Sequence, residues 1–551
     1  MLRRLCQCRA RQLQPFRRFH DARVYKEDPR WLGWQVVIGI ETHAQIKSRR
    51  KLFSESLTSV PGETPNTHVS MFDAAFPGTL PKLNHKCVDL ALRAAVALQS
   101  DIQTRSSFDR KHYFYSDLPS GYQITQQYAP IAIGGRLSVA LPNSPPFEVR
   151  IKQIQLEQDT AKSTLNPRTR TSHIDLNRAG TGLMEIVSEP DLRSPDEAGA
   201  YVRALQAVLR AVGASDGNME QGSLRCDVNV SINRVGQPPG TRCEIKNLNS
   251  VRFMIAAITH EITRQRAILE SAPDPQNATV PQETRGFDEH RFETYKLRSK
   301  EDAPDYRYMP DPNLGVLVLS QERIRTVRDT LPELPWETRE RLRSAYGLSE
   351  RDVDVLLNID SGRDVSFDGE TQGPNASVIA YFDQLCAEEG DEGKRRRDPK
   401  AVSNWITHEL LGQLAARKET FKDNHLSVDQ LGELIDMVQN KTITGTSGKL
   451  LLRHMLANPS KTPTMQIATE LQLTALEPCP DSTSSDTPVH SPALRALCAD
   501  AIAALPAESD AARKGNRNVL NKIVGRVMKD SHGRADAKAV RALLEELLLP
   551  R

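Results

Sequence analysis

The sequence lacks the features of a membrane, secreted or zinc-knuckle protein. It contains no run of about 18 apolar residues, and its mean hydropathy is −0.49, so no membrane-spanning segment is expected. Its 551 residues include only eight cysteines, none of them in a C-x-x-C pair. Neither a disulfide framework nor a zinc knuckle is therefore predicted, and a reducing compartment fits this cysteine usage.

Two common nucleotide-binding signatures and a strong net charge are also missing. Neither the Walker A pattern nor G-x-G-x-x-G occurs, which disfavours a P-loop NTPase and a Rossmann enzyme. Lysine plus arginine number 73 and aspartate plus glutamate 70, which leaves a net charge of +3. Because the charge is nearly balanced overall, any nucleic-acid surface must be local.

A chain of this length can bury more than one core and is expected to form about two to four domains. Up to about residue 320, short strand-like runs alternate with a few helices, and from Glu322 onward apolar residues recur at helical spacing. Polar stretches at 271–280, 388–400 and 478–492 indicate linkers or surface insertions. We predict an α+β fold with an antiparallel-sheet domain at 23–322, a helical linker domain at 323–400 and a helical tail domain at 401–551.

The first 22 residues have the composition of a mitochondrial presequence. Six arginines precede the first acid, Asp21, and no secretory apolar run is present. A basic RNA-binding arm has a similar composition and is the alternative. Determining the N-terminus of the mature protein would separate the two.

Period-two alternation predicts strands with one apolar and one polar face, because successive strand side chains point to opposite sides. Residues 36–46 place valine, isoleucine and alanine at most even positions, and Glu41 and His43 side by side on the other face. A well-marked helix is predicted at 194–212, where Ser194 and Pro195 have the types preferred at a helix start and Gly213 follows the last apolar turn.

Further strands add acids to the polar face. The run 153–159 contributes Glu157 and Asp159, the run 223–232 contributes Asp227, and the run 241–247 contributes Glu244. The run 183–189 places Glu185 and Glu189 on a common face. Any one such strand is most simply an ordinary solvated sheet face. Several neighbouring carboxylates repel one another, however, so their combination favours a bound cation, and carboxylate oxygens suit Mg²⁺ better than Zn²⁺.

Basic residues accompany these acids, as phosphoryl transfer requires: carboxylates hold the metal and cations meet the transferring group. The basic residues singled out are Arg110, Lys111, Lys162, Arg178, Arg225, Lys246 and Arg252.

At this point the chain resembles the B subunits of the tRNA-dependent amidotransferases. The segments that carry the resemblance are GIETHAQIKSRRKLFS, DRKHYFYSDLPSGYQITQ, IQLEQDTAKS, HIDLNRAGTGLMEIVSEPDLRSP, MEQGSLRCDVNVS, TRCEIKNLNS and DYRYMPDPNL. A fainter similarity to the family's helical tail runs through 443–449 and 521–536. The resemblance implies a cradle-shaped catalytic domain that uses ATP and Mg²⁺ to phosphorylate glutamate misattached to tRNA(Gln). It also implies a partner amidase, the A subunit, that supplies ammonia, a small third subunit and a mitochondrial matrix location.

The resemblance also implies site residues. It places the family's metal-binding Glu-x-His on Glu41 and His43 and its acidic strand motif on residues 157–159. Together with the polar sheet face, this predicts the metal ligands Glu41, His43, Glu157, Asp227 and Glu244. The predicted catalytic residues are Glu41, His43, Glu157, Asp159, Lys162 and Arg225. The predicted nucleotide-binding residues are Arg110, Lys111 and Lys246. The acidic motif is Glu-Gln-Asp where many bacterial relatives have Glu-Glu-Asp, so Glu157 is chosen over Gln158 as the ligand. Some relatives carry a zinc-binding cysteine cluster where this chain has Ser54 and Ser56, and no zinc is expected.

The C-terminal helices are rich in basic residues, which can bind phosphates in a salt-dependent way. A solvated helix face has the same composition, but the resemblance favours tRNA binding by Lys522, Arg526, Lys529 and Arg534. Two other functions stay open: a noncatalytic tRNA-binding scaffold, and a self-sufficient ATP-dependent amide ligase. No amidase Ser-Ser-Lys or glutaminase cysteine pattern is evident, so a separate source of ammonia is expected.

Overall fold

A computed structural model describes residues 28–141, 144–273, 278–299, 305–370, 377–387, 397–475, 492–513, 516–531 and 533–548. The predicted presequence lies outside these residues, as does part of each predicted linker. Within the described parts, no helix is both long enough and apolar enough to cross a membrane.

A ten-stranded sheet dominates the N-terminal half of the chain. Its strands, from one edge to the other, are β15 (Glu293–Ser299), β14 (Glu283–Asp288), β13 (Cys243–Leu248), β12 (Leu224–Arg234), β1 (Trp34–Gln45), β11 (Gly182–Ser188), β8 (Ser144–Gln158), β6 (Ala132–Ile133) and β2 (Asp101–Ile102), with β7 (Arg136–Leu141) paired to β8. The first of the described strands, β1, is therefore an interior strand of the sheet.

Three small sheets accompany the large one. They are β16 (Met309–Pro310), β4 (Asp109–His112) and β5 (Tyr122–Thr125); β9 (Lys162–Asn166) with β10 (Thr171–Asp175); and β17 (Leu317–Val318) with β3 (Arg105–Ser106). The predicted α+β class is confirmed. Among the described strands the pairings are antiparallel except β13 with β14, which is parallel. A parallel pair needs a long crossover, and here helix α3 (Val251–Ser271) supplies it.

Three helices of the first domain are α1 (His85–Ala97), α2 (Pro195–Ala211) and α3. The start of α2 confirms the predicted helix at 194–212: the Ser194 hydroxyl accepts a hydrogen bond from the backbone N–H of Glu197 at 3.1 Å. At the other end, Gly213 has a φ of +69°, which glycine adopts without strain.

The C-terminal half is helical. Its helices are α4 (Gln321–Asp329), α5 (Pro335–Ser344), α6 (Glu350–Asp360), α7 (Val378–Cys386), α8 (Pro399–Asn404), α9 (Leu411–Ala416), α10 (Val428–Gln439), α11 (Gly445–Ala457), α12 (Thr464–Glu470), α13 (Pro492–Ala504), α14 (Pro506–Arg513), α15 (Leu520–Asp530) and α16 (Ala537–Leu548). A π-helical turn, Trp405–Leu410, joins α8 to α9.

The buried apolar residues form three separate clusters. The first lies between the large sheet and its helices and runs from Trp31 to Leu334. The second runs from Leu342 to Leu473 and the third from Leu494 to Leu548. The second cluster contains residues on both sides of position 400, and the boundaries proposed at 322 and 400 stay predictions.

Strand β1 shows why the site faces away from the first cluster. Ile38, Ile40 and Ala44 are at most 1% exposed, whereas the alternating residues Glu41 and His43 are only partly buried on the opposite face. The alternation in the sequence therefore predicts both faces of this strand correctly.

Candidate active site

The candidate active site lies on the polar face of the large sheet, around His43. In the antiparallel register, His43 stands opposite Glu185 of β11 on one side and Arg225 of β12 on the other. Glu41, two residues earlier, stands opposite Val187 and Asp227. Three strands thus bring their polar side chains to one place.

Three of these side chains form a group with the donor set of a metal site. One ligand atom from each of His43, Glu157 and Glu185 lies within 4.8 Å of the other two. Glu157 is buried, and the other two are half-buried. We call these residues the His43 group.

Glu157 has one satisfied and one unsatisfied carboxylate oxygen. Its Oε1 accepts a hydrogen bond from Gln123 Nε2 at 2.5 Å, and its Oε2 is buried with no hydrogen-bond partner. A buried carboxylate oxygen without a partner is costly. A cation bound between the carboxylates would remove that cost, so the residues of the group fit Mg²⁺, which takes oxygen ligands and retains water.

Glu185 is held by a hydrogen bond, and its surroundings shift its pKa. Gln155 Nε2 donates to Glu185 Oε2 at 2.7 Å. Burial and the nearby Glu157 carboxylate raise the pKa of Glu185 to about 7, while His43 and Lys111 act in the opposite direction. A raised carboxyl pKa in a cleft is typical of functional sites.

Lys111 brings a positive charge to the group from a different sheet. It lies on β4, where its cross-strand partner is Gln123, so the small sheet β16–β4–β5 carries both side chains. Burial lowers the pKa of Lys111, but the carboxylates of Glu157 and Glu185 outweigh that effect and raise it above the usual lysine value. Lys111 therefore stays charged beside the two carboxylates.

Asp159 is bound by arginine. Arg225 Nη2 lies 2.9 Å from each of its carboxylate oxygens, and Arg178 Nε lies 3.7 Å from Oδ1. Gln45 Nε2 donates to Oδ2 at 3.1 Å. Burial alone would raise the pKa of Asp159, but Arg225 and Arg178 hold it below its usual range.

Asp227 and Glu244 share one lysine. Lys246 Nζ lies 2.7 Å from Asp227 Oδ2 and 2.8 Å from Glu244 Oε1. Neither acid belongs to the His43 group. Glu41 accepts a hydrogen bond from Asn229 Nδ2 at 3.2 Å, and its charge contributes to the raised pKa of Glu185, which places it beside the group.

Arg110 and Lys162, the remaining predicted site residues of this domain, do not belong to the His43 group. Arg110 Nε is bound to Asp311 Oδ2 at 2.7 Å, and its guanidinium stacks 4.0 Å from the ring centroid of Tyr122. Lys162 is exposed on the β9–β10 hairpin, which is not part of the large sheet.

Comparison with known proteins identifies the family. Two family models match: the GatB/GatE catalytic domain over residues 36–325 and the GatB domain over residues 381–548. The mitochondrial B subunit of the glutamyl-tRNA(Gln) amidotransferase of Laccaria bicolor is 71% identical over 97% of this chain and 96% of its own length. The protein of the same name from Mycosarcoma maydis is 45% identical, over 94% and 87% of the two lengths. The B subunit of the aspartyl/glutamyl-tRNA(Asn/Gln) amidotransferase of Methylobacterium sp. is 41% identical, over 94% and 96%.

The chain belongs to the family of amidotransferase B subunits.

The predicted family is thereby confirmed, and so is the mitochondrial location. The relatives from Laccaria bicolor and Mycosarcoma maydis are named as mitochondrial proteins, and this chain is a mitochondrial member of the B-subunit family.

Sequence reasoning about this B-subunit family member misses part of the group. It places Glu185 on a shared acidic face without giving it a role, and it does not single out Gln123 and Gln155, which hold the two carboxylates. Gln123 lies in the same motif as Lys111, twelve residues further on, and only a hairpin register would reveal that the two side chains meet.

Ser54, one of the two serines that stand where some relatives carry zinc-binding cysteines, makes a buried side-chain hydrogen bond. Ser54 Oγ donates to Asp73 Oδ2 at 3.0 Å, and the same carboxylate oxygen lies 3.3 Å from Lys51 Nζ. The Lys51 and Asp73 side chains are both 0% exposed. The absence of zinc stays a prediction.

The basic residues proposed for tRNA binding lie on and after α15, within the matched GatB domain. Lys522 pairs with Glu508 at 2.5 Å and Arg526 with Asp530 at 2.7 Å. Lys529 is exposed, and the half-buried Arg534 donates to the carbonyl oxygen of Thr474 at 3.3 Å. The apolar face of α15, formed by Leu520, Ile523 and Val527, is buried in the third cluster.

Proposed function

We propose that the chain uses ATP to phosphorylate the side-chain carboxylate of glutamate misattached to tRNA(Gln), in the mitochondrial matrix. It would act as the B subunit of a glutamine-hydrolysing ligase that forms a carbon–nitrogen bond. Its partners would be an amidase, the A subunit, which releases ammonia from glutamine, and a small third subunit. Relatives that carry the B-subunit name support this assignment.

The observation that carries the proposal is the His43 group with Lys111 beside it. Two carboxylates and one imidazole converge within 4.8 Å, and one carboxylate oxygen is buried without a partner. A Mg²⁺ ion held by His43, Glu157 and Glu185 would neutralise and orient the phosphates of ATP. A noncatalytic scaffold has no use for such a group.

The side chains around the group have distinct roles in this reaction. Gln123 and Gln155 fix the orientations of Glu157 and Glu185 through their hydrogen bonds. Lys111 supplies positive charge for the transferring phosphoryl group, which carries negative charge on its equatorial oxygens. Arg225 keeps Asp159 ionised and so fixes the end of β8 next to Glu157.

The chemistry needs two displacements. A substrate carboxylate oxygen attacks the γ-phosphorus of ATP, a new phosphorus–oxygen bond forms, and ADP leaves with the electrons of the broken bond. Ammonia then attacks the acyl carbon, the carbon–oxygen bond to phosphate breaks, and phosphate leaves while the nitrogen loses a proton to solvent. Activation is required because a free carboxylate is inert toward ammonia.

The test uses the full chain assembled with its amidase partner. Glu157→Gln retains the shape of the side chain and a carbonyl oxygen that can accept a hydrogen bond. It removes the negative charge that would bind a cation. Glu148→Gln is the control, because Glu148 lies on the same strand and is exposed, 3.6 Å from Arg136. We expect ADP formation that depends on Glu-tRNA(Gln) to fall at least about a hundredfold in Glu157→Gln and to persist in Glu148→Gln.

Undiminished phosphorylation of Glu-tRNA(Gln) by a folded Glu157→Gln variant would eliminate the kinase role and favour the scaffold. The self-sufficient ligase is tested with the isolated chain, ATP and glutamine. Formation of Gln-tRNA(Gln) without a partner would support that alternative.

A further inference from the structure

Five tyrosines form a continuous row next to the candidate active site. Neighbouring ring centroids are 5.7 Å apart from Tyr115 to Tyr113, 5.9 Å from Tyr113 to Tyr306, 6.0 Å from Tyr306 to Tyr308 and 6.2 Å from Tyr308 to Tyr128. The rings come from three separate parts of the chain. We call these residues the tyrosine row.

The row is linked to the His43 group through Gln123 and Lys111. The Tyr113 hydroxyl donates to Gln123 Oε1 at 2.8 Å, and Gln123 in turn donates to Glu157. Lys111 Nζ lies 5.0 Å from the ring centroid of Tyr306. Burial and the charge of Glu157 raise the pKa of Tyr308 to about 12, against the effect of Lys111. The row is therefore continuous with the proposed phosphorylation site.

Both ends of the row are open to solvent. Tyr115 is 59% exposed and Tyr128 is 69% exposed, and Phe114, next to Tyr115 in sequence, is 87% exposed. The Arg307 side chain, between two rings of the row in sequence, is 83% exposed. Exposed aromatic rings together with a cation are the usual surface for unpaired nucleotides, whose bases stack on aromatic side chains while cations meet the phosphates.

We propose that the tyrosine row binds the unpaired nucleotides at the 3′ end of the aminoacyl-tRNA. This inference rests on the proposed function. The glutamyl group is esterified to the terminal ribose, so its side-chain carboxylate reaches the His43 group only if the terminal nucleotide lies one glutamyl length away. The hydrogen bonds from Tyr113 to Gln123 and from Gln123 to Glu157 place the row next to the His43 group, and Tyr115 and Tyr128 offer exposed rings at its two ends.

The adenine of ATP offers the same chemistry, a base that stacks on tyrosine. The row, however, has an exposed ring at each of its two ends, and four centroid steps of about 6 Å along the row join them. A chain of several nucleotides fits both ends, whereas one adenine would leave one end open. A protein partner covering the exposed rings is an outcome that the experiment also detects.

The experiment measures steady-state kinetics and direct binding with the assembled amidotransferase. Tyr115→Ala and Tyr128→Ala remove one ring each, and Tyr115→Phe and Tyr128→Phe retain the ring without the hydroxyl. Tyr295→Ala is the matched control, because Tyr295 is 50% exposed on the edge strand β15. Binding is followed with tRNA(Gln) that carries 2-aminopurine at the 3′-terminal position, whose fluorescence is quenched by stacking.

We expect each alanine variant to raise the KM for Glu-tRNA(Gln) about fivefold or more, the low end of what one stacked base contributes, with the KM for ATP unchanged. The phenylalanine variants should behave like the wild type, and quenching of 2-aminopurine should fall only in the alanine variants. An increase confined to the KM for ATP would show that the row binds the adenine of ATP instead. Weaker assembly of the complex with unchanged kinetics would assign it to a protein partner, and unchanged values throughout would also overturn the proposal.

The fluorescence assay uses uncharged tRNA and no ATP, so it does not depend on phosphorylation. If the wild-type complex fails to phosphorylate Glu-tRNA(Gln) but still quenches 2-aminopurine through the row, the proposed function fails alone. If phosphorylation proceeds and the alanine variants quench normally, the inference about the row fails alone.

Discussion

His43 on β1 lies directly opposite Glu185 on β11 in the antiparallel register. The pairing brings an imidazole and a carboxylate together on the polar face of the sheet, and the neighbouring strand β8 adds Glu157. His43, Glu157 and Glu185 are thus a smaller and partly different set of candidate metal ligands from the five residues predicted from the sequence.

The His43 group and the five ligands predicted from the sequence lead to different expectations for how mutations affect cation binding. We expect His43→Ala and Glu185→Gln each to weaken Mn²⁺ binding, used as a probe for Mg²⁺, by about ten- to a hundredfold or more, since each removes a ligand. Asp227→Asn should change binding less, because Asp227 is already bound to Lys246. Electron paramagnetic resonance of free Mn²⁺ in titrations of the purified chain measures the affinity.

Equal losses in all three variants would contradict the smaller set and restore Asp227 as a ligand. Glu148→Gln again serves as the control for a charge change on the same domain.

Gly180 is a position where even a methyl group should be harmful. Its φ is +81°, and a Cβ there would lie 2.2 Å from Asp73 Oδ1, which belongs to the fully buried pair with Lys51. Gly78 has nearly the same φ, +83°, but nothing lies within 4 Å of its Cβ position. We expect Gly78→Ala to cost about 1 kcal/mol from backbone strain and Gly180→Ala clearly more, as measured by urea unfolding. Equal costs would show that Asp73 moves aside freely.

Glu261 on α3 gives a prediction about pH. Its fully buried carboxylate binds Arg264 at 2.6 Å and Arg285 at 3.2 Å. Burial alone would raise its pKa, but the hydrogen bonds and the charges of the arginines lower it below the usual value. The unfolded chain therefore takes up the proton first as the pH falls, so the stabilisation is complete above the ordinary glutamate pKa of about 4.3 and is lost below it.

We expect Glu261→Gln to lower the free energy of unfolding by about 3–5 kcal/mol at neutral pH, because two arginines lose a buried partner. The difference from the wild type should shrink as the pH falls below about 4. Urea unfolding at a series of pH values checks both points. A difference that stays constant across the series would mean that the ionised carboxylate is not what stabilises this region.

The helical tail gives a prediction about salt. If α15 contacts the phosphates of tRNA, Lys529→Ala should weaken tRNA binding and reduce the slope of log affinity against log salt by about one. Arg541→Ala is the control, since Arg541 is exposed on α16, 3.3 Å from Glu545. Filter binding of tRNA(Gln) at several salt concentrations provides the slopes. Identical slopes for the two variants would locate the tRNA contact elsewhere.

Much of the fold can be predicted from the sequence, because it depends on patterns among neighbouring residues. The alternation in β1 predicts which face is buried, and the residue types around Ser194 predict where α2 begins. The parallel pairing of β13 with β14 is not predicted, since nothing local in either strand specifies the direction of its neighbour.

The site is less predictable, because it depends on the register between distant strands. Alternation places Glu157, Glu185 and Asp227 on the same face, but only the register shows that Glu185 meets His43. Likewise, no pattern within residues 241–247 reveals that Lys246 binds Asp227 of the neighbouring strand as well as Glu244.

The position of β1 imposes an order of events on synthesis of the chain. Among the described strands β1 is the first to be made, yet it lies inside the sheet with β11 on one side and β12 on the other. Glu41 and Asn229, which are hydrogen-bonded across β1 and β12, are 188 residues apart. Until β12 has been made, one edge of β1 has no partner, and an open strand edge is a template for association with other chains. A chain interrupted before residue 224 should therefore aggregate, and the nascent protein needs to be kept apart from its neighbours until Leu224–Arg234 has emerged.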